Sequence, residues 1–467
     1  MTQPSPLAAA RRRSELGLVL MAAGISAVGY VLASFGKNAT MPATIVPFLV
    51  ALLAMLIAAN VATRFLARGA DATLLPIAVL LHGIGYVMIA RLSDRRAALQ
   101  TTWSFIAVVA FVATLLLVQR PPDLARYKWT FLFLGAGALM APLVPGLGTS
   151  VGGARIWVSI GPIHIQPGEF AKIALALFFA AYLADTRELI AAGTRKLGPL
   201  RIPEMRYLLP ITGAWAFAVA VMVAEKDLGS ALLFFTLFTV MMWVATERAV
   251  FMVLGVLLFA LAAYIAWRLF PVVRLRVDLW RNPWSQYEGK GYQPAQAMYA
   301  FANGGVGGTG LGLGSPNKIP AASTDYVYAA IGEELGLVGA TAIIIAFLLL
   351  LGAGLRIAVR AERAFEKLLA TGLTTIIAMQ AFIIIGGVLR LIPLTGITLP
   401  FVSYGGSSLL SNYVLLAILL RISDSGARQR GEVPDELTIS ERLEARRLRL
   451  TTVSERPGEQ PGEQVGA

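Results

Sequence analysis

The sequence contains no cysteine and only two histidines among its 467 residues. The absence of thiols excludes disulfides, thiolate metal ligands and cysteine nucleophiles. His82 and His164 lie in different segments, the first in an apolar run and the second in a loop, so they cannot form a His-rich zinc or haem site. Carboxylates, hydroxyls and cations therefore have to carry any chemistry.

Charged residues are also scarce, at 14% of the chain against 57% hydrophobic residues. Soluble domains average about 45–50% apolar and about 25% charged residues, so this composition predicts a membrane protein. The formal net charge of +13 comes from basic residues in short loops and tails beside apolar runs. Such residues orient a membrane protein and contact anionic lipids, and we expect membrane lipids and no nucleic acid as partners.

Apolar segments long enough to span a bilayer recur along the chain and are continuous rather than alternating, which predicts helices. The sequence predicts an all-α polytopic membrane protein with about twelve transmembrane helices. The run after Arg11, Arg12 and Arg13 is too long for a secretory signal and indicates a retained helix. The predicted spans are 16–34, 42–63, 75–90, 101–118, 129–144, 170–183, 207–224, 228–245, 249–270, 338–355, 368–387 and 409–420.

An even number of spans places both termini on one side of the membrane. Loops and tails on that side carry about twice as many Lys and Arg residues as the opposite loops, which predicts cytoplasmic termini. We divide the chain into a tail (1–14), an N-terminal helix pair (15–70), a transmembrane core (71–421) and a disordered tail (422–467). Two long polar segments, 141–168 and 271–337, face outward, and long loops in compact proteins are usually functional.

Ionisable groups at the outer membrane edge are candidate functional residues, because burying each one in a bilayer costs several kcal/mol. Glu169 and Lys172 are three residues apart on the sixth predicted helix and can pair. That pair suits either a site or a plain link between helices. Lys226 and Asp227 lie with Glu225 in a charged turn between the seventh and eighth spans, a common feature that is weak evidence by itself.

Serines form a second polar group, within the run 400–408 that contains Ser403. No histidine or lysine base lies nearby in sequence, which argues against a nucleophilic serine. A re-entrant turn or close helix packing is the better interpretation of this run. Glycines fill another run, 303–314, but no strand precedes it and it is predicted to lie outside the cell, so we reject a nucleotide-binding loop.

The long segment 271–337 carries cations that can hold phosphates, namely Arg274, Arg276, Arg281 and Lys290. Arg274 and Arg276 can equally reach towards ordinary lipid headgroups. Asp325 lies where this segment meets the membrane, and there a carboxylate could act as general base on a sugar hydroxyl. Glu333 and Glu334 follow it, and we expect them to cap the next helix at its N-terminus.

Seven short runs in this order resemble the SEDS family of shape, elongation, division and sporulation proteins, whose members include RodA, FtsW and SpoVE. Each run is weak evidence alone, and their order and predicted side of the membrane make the resemblance specific. They are GARIW (153–157), QPGEFAK (166–172), KDLGS (226–230), GYQ (291–293), TDY (324–326), GEELG (332–336) and LPFVSYGGSS (399–408).

The resemblance implies a peptidoglycan glycosyltransferase that polymerises lipid II outside the cytoplasmic membrane and releases undecaprenyl pyrophosphate with inversion. It implies that Asp325 is the essential base, and that a class B penicillin-binding protein, a transpeptidase, is the partner. Either cations or a divalent metal ion, Mg²⁺ or Mn²⁺, would stabilise the leaving group. The substrate-binding candidates are Arg155, Trp157, Glu169, Lys172, Lys226, Asp227, Arg274, Lys290, Thr324 and Ser403.

Two departures from the family pattern stand out. The family has about ten spans of about 20 residues each, which makes the N-terminal pair an addition. Residues 319–325 read IPAASTD and lack a glutamate and a histidine that many members carry, which puts metal coordination in doubt.

Three alternative functions stay open: a lipid II flippase, a non-catalytic scaffold and a division-type polymerase. The run LIPLTG (391–396) favours an elongation-type, RodA-like role.

Overall fold

Long apolar helices make up most of the computed structural model, which describes residues 6–39, 45–151, 154–161, 163–192, 195–197, 200–202 and 204–433. The α-helices are α1 (Pro6–Asn38), α2 (Ile45–Leu66), α3 (Leu74–Leu92), α4 (Asp94–Leu117), α5 (Lys128–Met140), α6 (Gly168–Ala192), α7 (Met205–Ala224), α8 (Leu228–Thr246), α9 (Ala249–Leu269), α10 (Pro271–Arg281), α11 (Tyr292–Gly304), α12 (Val327–Arg360), α13 (Ala364–Val388) and α14 (Gly406–Gln429).

Nine helices in the described part of the chain are long and apolar enough to cross a membrane: α1, α3, α4, α7, α8, α9, α12, α13 and α14. The predicted class of helical polytopic membrane protein is confirmed, whereas the number of twelve spans is not. The remaining three predicted spans correspond to α2, α5 and α6. The described apolar part of α2 is the shorter stretch Leu53–Leu66, α5 has 13 residues, and α6 carries charged residues near both ends.

The two long polar segments, predicted as loops, contain regular secondary structure. Residues 141–168 include an antiparallel sheet of β1 (Gly148–Val151), β2 (Ala154–Ile160) and β3 (Ile163–Ile165). His164, expected in a loop, therefore lies in β3. A two-stranded hairpin, β4 (Arg195–Leu197) and β5 (Leu200–Ile202), follows α6, while α10, α11 and the start of α12 fall within 271–337.

The ends of the core also differ from the prediction. Helix α14 continues to Gln429, beyond the boundary predicted at 421. Asp424 forms ion pairs with Arg421 and Arg428, one helical turn away on either side, and these pairs stabilise the additional turns. The predicted disordered tail lies, from residue 434 onward, outside the described residues, as do the first three residues of the second predicted span.

Helices α6, α13 and α14 form the centre of the bundle. In the apolar window of α13, 83% of residues are buried, against 6% in α9 at the periphery. Helix α13 packs against α12, α6 and α8, while α14 packs closely against α4. Interhelical packing in membranes favours small residues, and Gly406 at the start of α14 lies against the Trp103 indole, where a Cβ would be 2.2 Å from a ring atom. The expectation of close packing at residues 400–408 is thus confirmed.

The N-terminal helix pair contacts the core through backbone-to-backbone packing. A Cβ on Gly36 of α1 would lie 2.3 Å from the Leu311 carbonyl oxygen. Gly312, with φ of +84°, approaches the Ala33 carbonyl oxygen, which would be 2.4 Å from an added Cβ. Glycine is required at both positions because no side chain fits between the two backbones.

Gly36→Val should lower the stability of the protein by about 1–3 kcal/mol, because the added methyl groups overlap the loop backbone. Thermal unfolding of the purified protein in detergent measures the effect. Gly24→Val in the same helix is the matched control, since a Cβ there meets nothing within 4 Å. Equal melting temperatures for the two variants would contradict the packing described here.

Candidate active site

Asp325 lies in the turn that precedes α12 and is half-buried. Burial raises the pKa of Asp325 to about 6, while a hydrogen bond from Thr324 and the positive charge of Arg276 oppose this rise. A carboxyl group with a pKa near 6 is mostly ionised at neutral pH and can still accept a proton efficiently. The local environment of Asp325 therefore suits a general base.

The turn that carries Asp325 is held in place by residues 399–404. Ser403 Oγ donates a hydrogen bond to the Thr324 carbonyl oxygen (2.6 Å) and accepts one from the Leu399 amide (2.9 Å). The Tyr404 amide donates to the Ser323 carbonyl oxygen (2.8 Å), and Arg96 donates to Ser323 Oγ. Ser403 and Thr324, both predicted site residues, thus act on the backbone around Asp325.

A cavity of about 690 Å³ opens beside Asp325. It is enclosed by α10, the segment around Lys290 and the connection between α13 and α14, and its cations are Arg276, Lys290 and Arg390. The Arg390 guanidinium donates to the carbonyl oxygens of Trp280 (2.5 Å) and Arg281 (3.2 Å), which joins the connection to α10. The cavity therefore combines one carboxylate with three cations, and the cations suit the binding of a phosphate-containing substrate.

Arg276 interacts electrostatically with two carboxylates, those of Asp227 and Asp325. Asp227 caps α8, where it accepts hydrogen bonds from the amide (3.0 Å) and the hydroxyl (2.6 Å) of Ser230. Burial raises the pKa of Asp227, and the Ser230 hydrogen bonds and the Arg276 charge oppose this rise. The structure therefore brings Asp227, from the charged turn, close to the Asp325 site.

Arg274 and Arg276 lie two residues apart in the same polar segment, and the predicted substrate-binding residue is Arg274. In the structure Arg274 donates to the Arg268 carbonyl oxygen (2.9 Å) and lies outside the lining of the cavity. Helical periodicity could have distinguished them if α10 had been predicted as a helix, because one face of α10 lines the cavity. That face consists of Val272, Leu275, Arg276, Leu279 and Trp280.

Glu169 and Lys172 form the predicted ion pair, with 2.5 Å between Lys172 Nζ and Glu169 Oε2. Both side chains are buried, and they connect three helices. Lys172 also donates to Gln380 of α13 (3.0 Å), and Ser411 of α14 donates to Glu169 (3.0 Å). The pair lies outside the lining of the 690 Å³ cavity, but the Glu169 charge acts on Asp227. A role in substrate binding remains a prediction for both residues.

Arg155 and Trp157 lie on β2, which packs against the charged turn. The Arg155 amide donates to the Glu225 carbonyl oxygen (3.1 Å), and its guanidinium donates to the Val144 carbonyl oxygen (3.3 Å). Trp157 pairs with Thr149 in the neighbouring strand. Lys226 is exposed on the turn. Arg155, Trp157 and Lys226 lie outside the lining of the cavity, and their proposed contacts with substrate remain predictions.

Glu333 and Glu334 have a different role from the helix capping expected for them. They lie one to two turns inside α12, where the Glu333 carboxylate accepts from the Ser315 amide (3.1 Å). The Glu334 carboxylate accepts from the Gly312 amide (3.0 Å) and pairs with Arg91 (3.1 Å). The glycine-rich run 303–314 folds back onto α12 where that helix bends at Gly336. The amides of Gly312 and of the following Ser315 therefore bind the carboxylates of α12.

The donor set near Asp325 does not form a protein-built metal centre. Among the residues that the structure describes, no three or more His, Cys, Asp or Glu side chains converge as they would around a metal ion. Arg276 interacts electrostatically with both Asp227 and Asp325 and offsets part of their negative charge. The binding of Mg²⁺ or Mn²⁺ stays a prediction.

A helical bundle of this kind, with a carboxylate and cations around one cavity, defines a polytopic membrane protein with an enzyme-type site. The family model described as cell cycle protein, FtsW/RodA/SpoVE, matches residues 71–428. The match covers more than half of the sequence, and the chain belongs to the FtsW/RodA/SpoVE family. Helices α1 and α2 precede the matched residues.

Individual relatives agree with this assignment. The chain is 42% identical to the peptidoglycan glycosyltransferase RodA of Mycobacterium tuberculosis, over 92% of this chain and 93% of that protein. That match cannot omit all of residues 1–70, so the relative shares at least part of the N-terminal pair. A probable peptidoglycan glycosyltransferase FtsW of Saccharophagus degradans is 33% identical, over 76% of this chain and 93% of the relative.

A solved structure shows the same fold. It comes from a study of how a peptidoglycan synthase complex coordinates polymerization and crosslinking. The TM-score is 0.64 at 25% identity, with 78% of this chain and 99% of the other chain covered.

Glu225 is a buried carboxyl group in the charged turn, and its Oε1 atom has no hydrogen-bond partner among the described residues. Burial and the neighbouring Asp227 raise the pKa of Glu225 to about 8. The folded protein therefore holds a proton that the unfolded chain releases above about pH 4.5, and the stability contributed by this group falls as pH rises towards 8.

Glu225→Gln should make the protein more stable than wild type at pH 8, by a few degrees in melting temperature, with little difference near pH 4.5. Thermal unfolding across this pH range measures the effect. Glu288→Gln serves as the control because Glu288 is exposed. An unchanged pH dependence in Glu225→Gln would contradict the assignment of a buried, protonated carboxyl group.

Proposed function

We propose that this protein is an elongation-type peptidoglycan glycosyltransferase, which polymerises lipid II for cell elongation and shape. Asp325 beside Arg276 in a 690 Å³ cavity is the observation that carries the chemistry. The relative named RodA is 42% identical over nearly its full length, against 33% for the relative named FtsW, which supports the elongation type.

The reaction begins when a hydroxyl group of the acceptor sugar lies next to the Asp325 carboxylate. The Asp325 carboxylate takes the hydroxyl proton as the oxygen attacks the anomeric carbon of the donor sugar. The bond from that carbon to the pyrophosphate breaks, and undecaprenyl pyrophosphate leaves on the face opposite the attack. One displacement inverts the configuration at the anomeric carbon, as in inverting glycosidases.

The departing pyrophosphate gains negative charge in the transition state, and fixed cations stabilise it most effectively when they are already in place. Arg276 and Lys290 line the cavity and suit this role. Arg276 also favours the ionised form of Asp325. The buried Lys172 and the distant Arg274 fit it less well, because each donates to another protein group.

The excess of Lys and Arg in the terminal tails and the loops on their side supports cytoplasmic termini and an extracytoplasmic active site. The polyprenyl tails would remain in the bilayer while the sugars react above it. The likeness to a chain from a complex of polymerization and crosslinking supports a class B penicillin-binding protein as the partner. That transpeptidase would crosslink each strand after its synthesis.

Asp325→Ala should abolish glycan synthesis from lipid II by the purified protein, with or without its transpeptidase, while the melting temperature stays within a few degrees. For the wild type, kcat/KM should fall about tenfold per pH unit below pH 6, because the protonated carboxyl group cannot accept a proton. Polymer made at wild-type rate by Asp325→Ala would refute the proposed base. Lipid translocation without polymer would favour a flippase.

Arg276→Gln should move the acid limb of this pH profile to higher pH, because removing the cation disfavours the Asp325 carboxylate. It should also lower kcat about 10²–10³-fold through the lost stabilisation of the leaving group. Arg274→Gln is the matched control, because it makes the same chemical change two residues away. It should leave both the pH of the acid limb and kcat near their wild-type values. Equal effects of the two substitutions would contradict the assigned role of Arg276.

A further inference from the structure

A second, larger cavity of about 1410 Å³ lies between the N-terminal helix pair and helices α3 and α4. It shares none of its lining residues with the cavity beside Asp325. Alanine, valine and other apolar side chains form most of its walls, and we call it the lateral groove. The family match begins at residue 71, so α1 and α2 supply a wall from outside the matched region.

The length of the lateral groove distinguishes between lipid chains. One face of α4 lines it from Asp94 through Phe105 and Val109 to Leu116. At 1.5 Å per residue this face is about 33 Å long, close to the thickness of a bilayer hydrocarbon core. An acyl chain of a phospholipid occupies one leaflet, about half of that length. The groove therefore suits one apolar chain that is longer than a leaflet.

Cations surround the end of the groove that lies on the same side as Asp325. Lys37 and Arg91 line it, and Arg95 and Arg96 lie in the first turn of α4. Two acidic residues lie there: Glu334 pairs with Arg91, and Asp94 is 92% exposed and 3.4 Å from Lys37, a surface pair that exchanges readily with another anion. An anionic group at the head of the bound chain would meet a net positive charge.

This end of the groove is connected to the turn that carries Asp325. Arg96 donates a hydrogen bond to Ser323, two residues before Asp325. Arg91 pairs with Glu334, nine residues after it. A chain bound in the groove would thus have its head group close to the segment that positions the proposed base.

We propose that the lateral groove binds the polyprenyl chain of a lipid-linked substrate, with the phosphate of that lipid at Lys37. This inference rests on the proposed function for the identity of the substrate. The groove's charge and its link to Ser323 favour a chain that terminates in a phosphate, and its length favours a polyprenyl chain over a phospholipid.

Photocrosslinking in lipid nanodiscs tests the occupant directly. The full chain would carry p-benzoylphenylalanine at Phe105, which lines the groove, or at its neighbour Ile106, which does not. With radiolabelled undecaprenyl phosphate as probe, labelling at position 105 should exceed labelling at position 106 at least fivefold. Unlabelled undecaprenyl phosphate should compete, and added phosphatidylglycerol should not. Equal labelling at the two positions, or equal competition by phosphatidylglycerol, would overturn the proposal.

A kinetic experiment separates the groove from the proposed function. Val109→Trp fills part of the groove between its middle and its Leu116 end, whereas Ile106→Trp adds the same ring to the same helix outside it. Val109→Trp should raise KM for lipid II about tenfold at unchanged kcat, and Ile106→Trp should match wild type. A wild-type KM in Val109→Trp would count against the groove. Absence of polymer from the wild type would refute the proposed function, while the crosslinking result would still decide the occupant.

Discussion

The electrostatic interaction of Arg276 with two carboxylates is the interaction on which the site depends. Asp227 and Asp325 are far apart in the sequence, and both are shifted towards the protonated form by burial. A charge removed from water is tolerated only when another group compensates it. Arg276 interacts electrostatically with both residues and offsets part of their negative charge. The same cation lines the cavity in which the proposed reaction takes place.

The surroundings of Asp325 show how a loop can be made rigid at a membrane surface. Ser403 binds the backbone on one side, and the glycine-rich run folds onto Glu333 and Glu334 on the other. Small residues make this folding possible because Gly308 and Gly336 pack directly against neighbouring backbone. The result is a supported turn for Asp325, the proposed base, as preorganised catalysis requires.

The N-terminal helix pair connects to this arrangement in two ways. Gly36 meets the glycine-rich run at Leu311 and Gly312, and Arg91, between the pair and α12, binds Glu334. An addition to the family core that touched only lipid would have no effect on the active site. Here it contacts the segments that flank the turn carrying Asp325, and it forms one wall of the lateral groove.

The sequence by itself determined the membrane class, the positions of the long helices, the Glu169–Lys172 pair, Asp325 as the candidate base and the family. These follow from composition, from periodicity and from short runs in a fixed order, which are all properties of neighbouring residues. Only the tertiary structure decided between Arg274 and Arg276, moved Glu333 and Glu334 from capping to loop binding, and formed the sheet of residues 148–165. It also placed Asp227 and Asp325 within the electrostatic reach of the same arginine, Arg276. Each of these outcomes depends on contacts between residues distant in sequence, where burial and charge compensation act through space rather than along the chain.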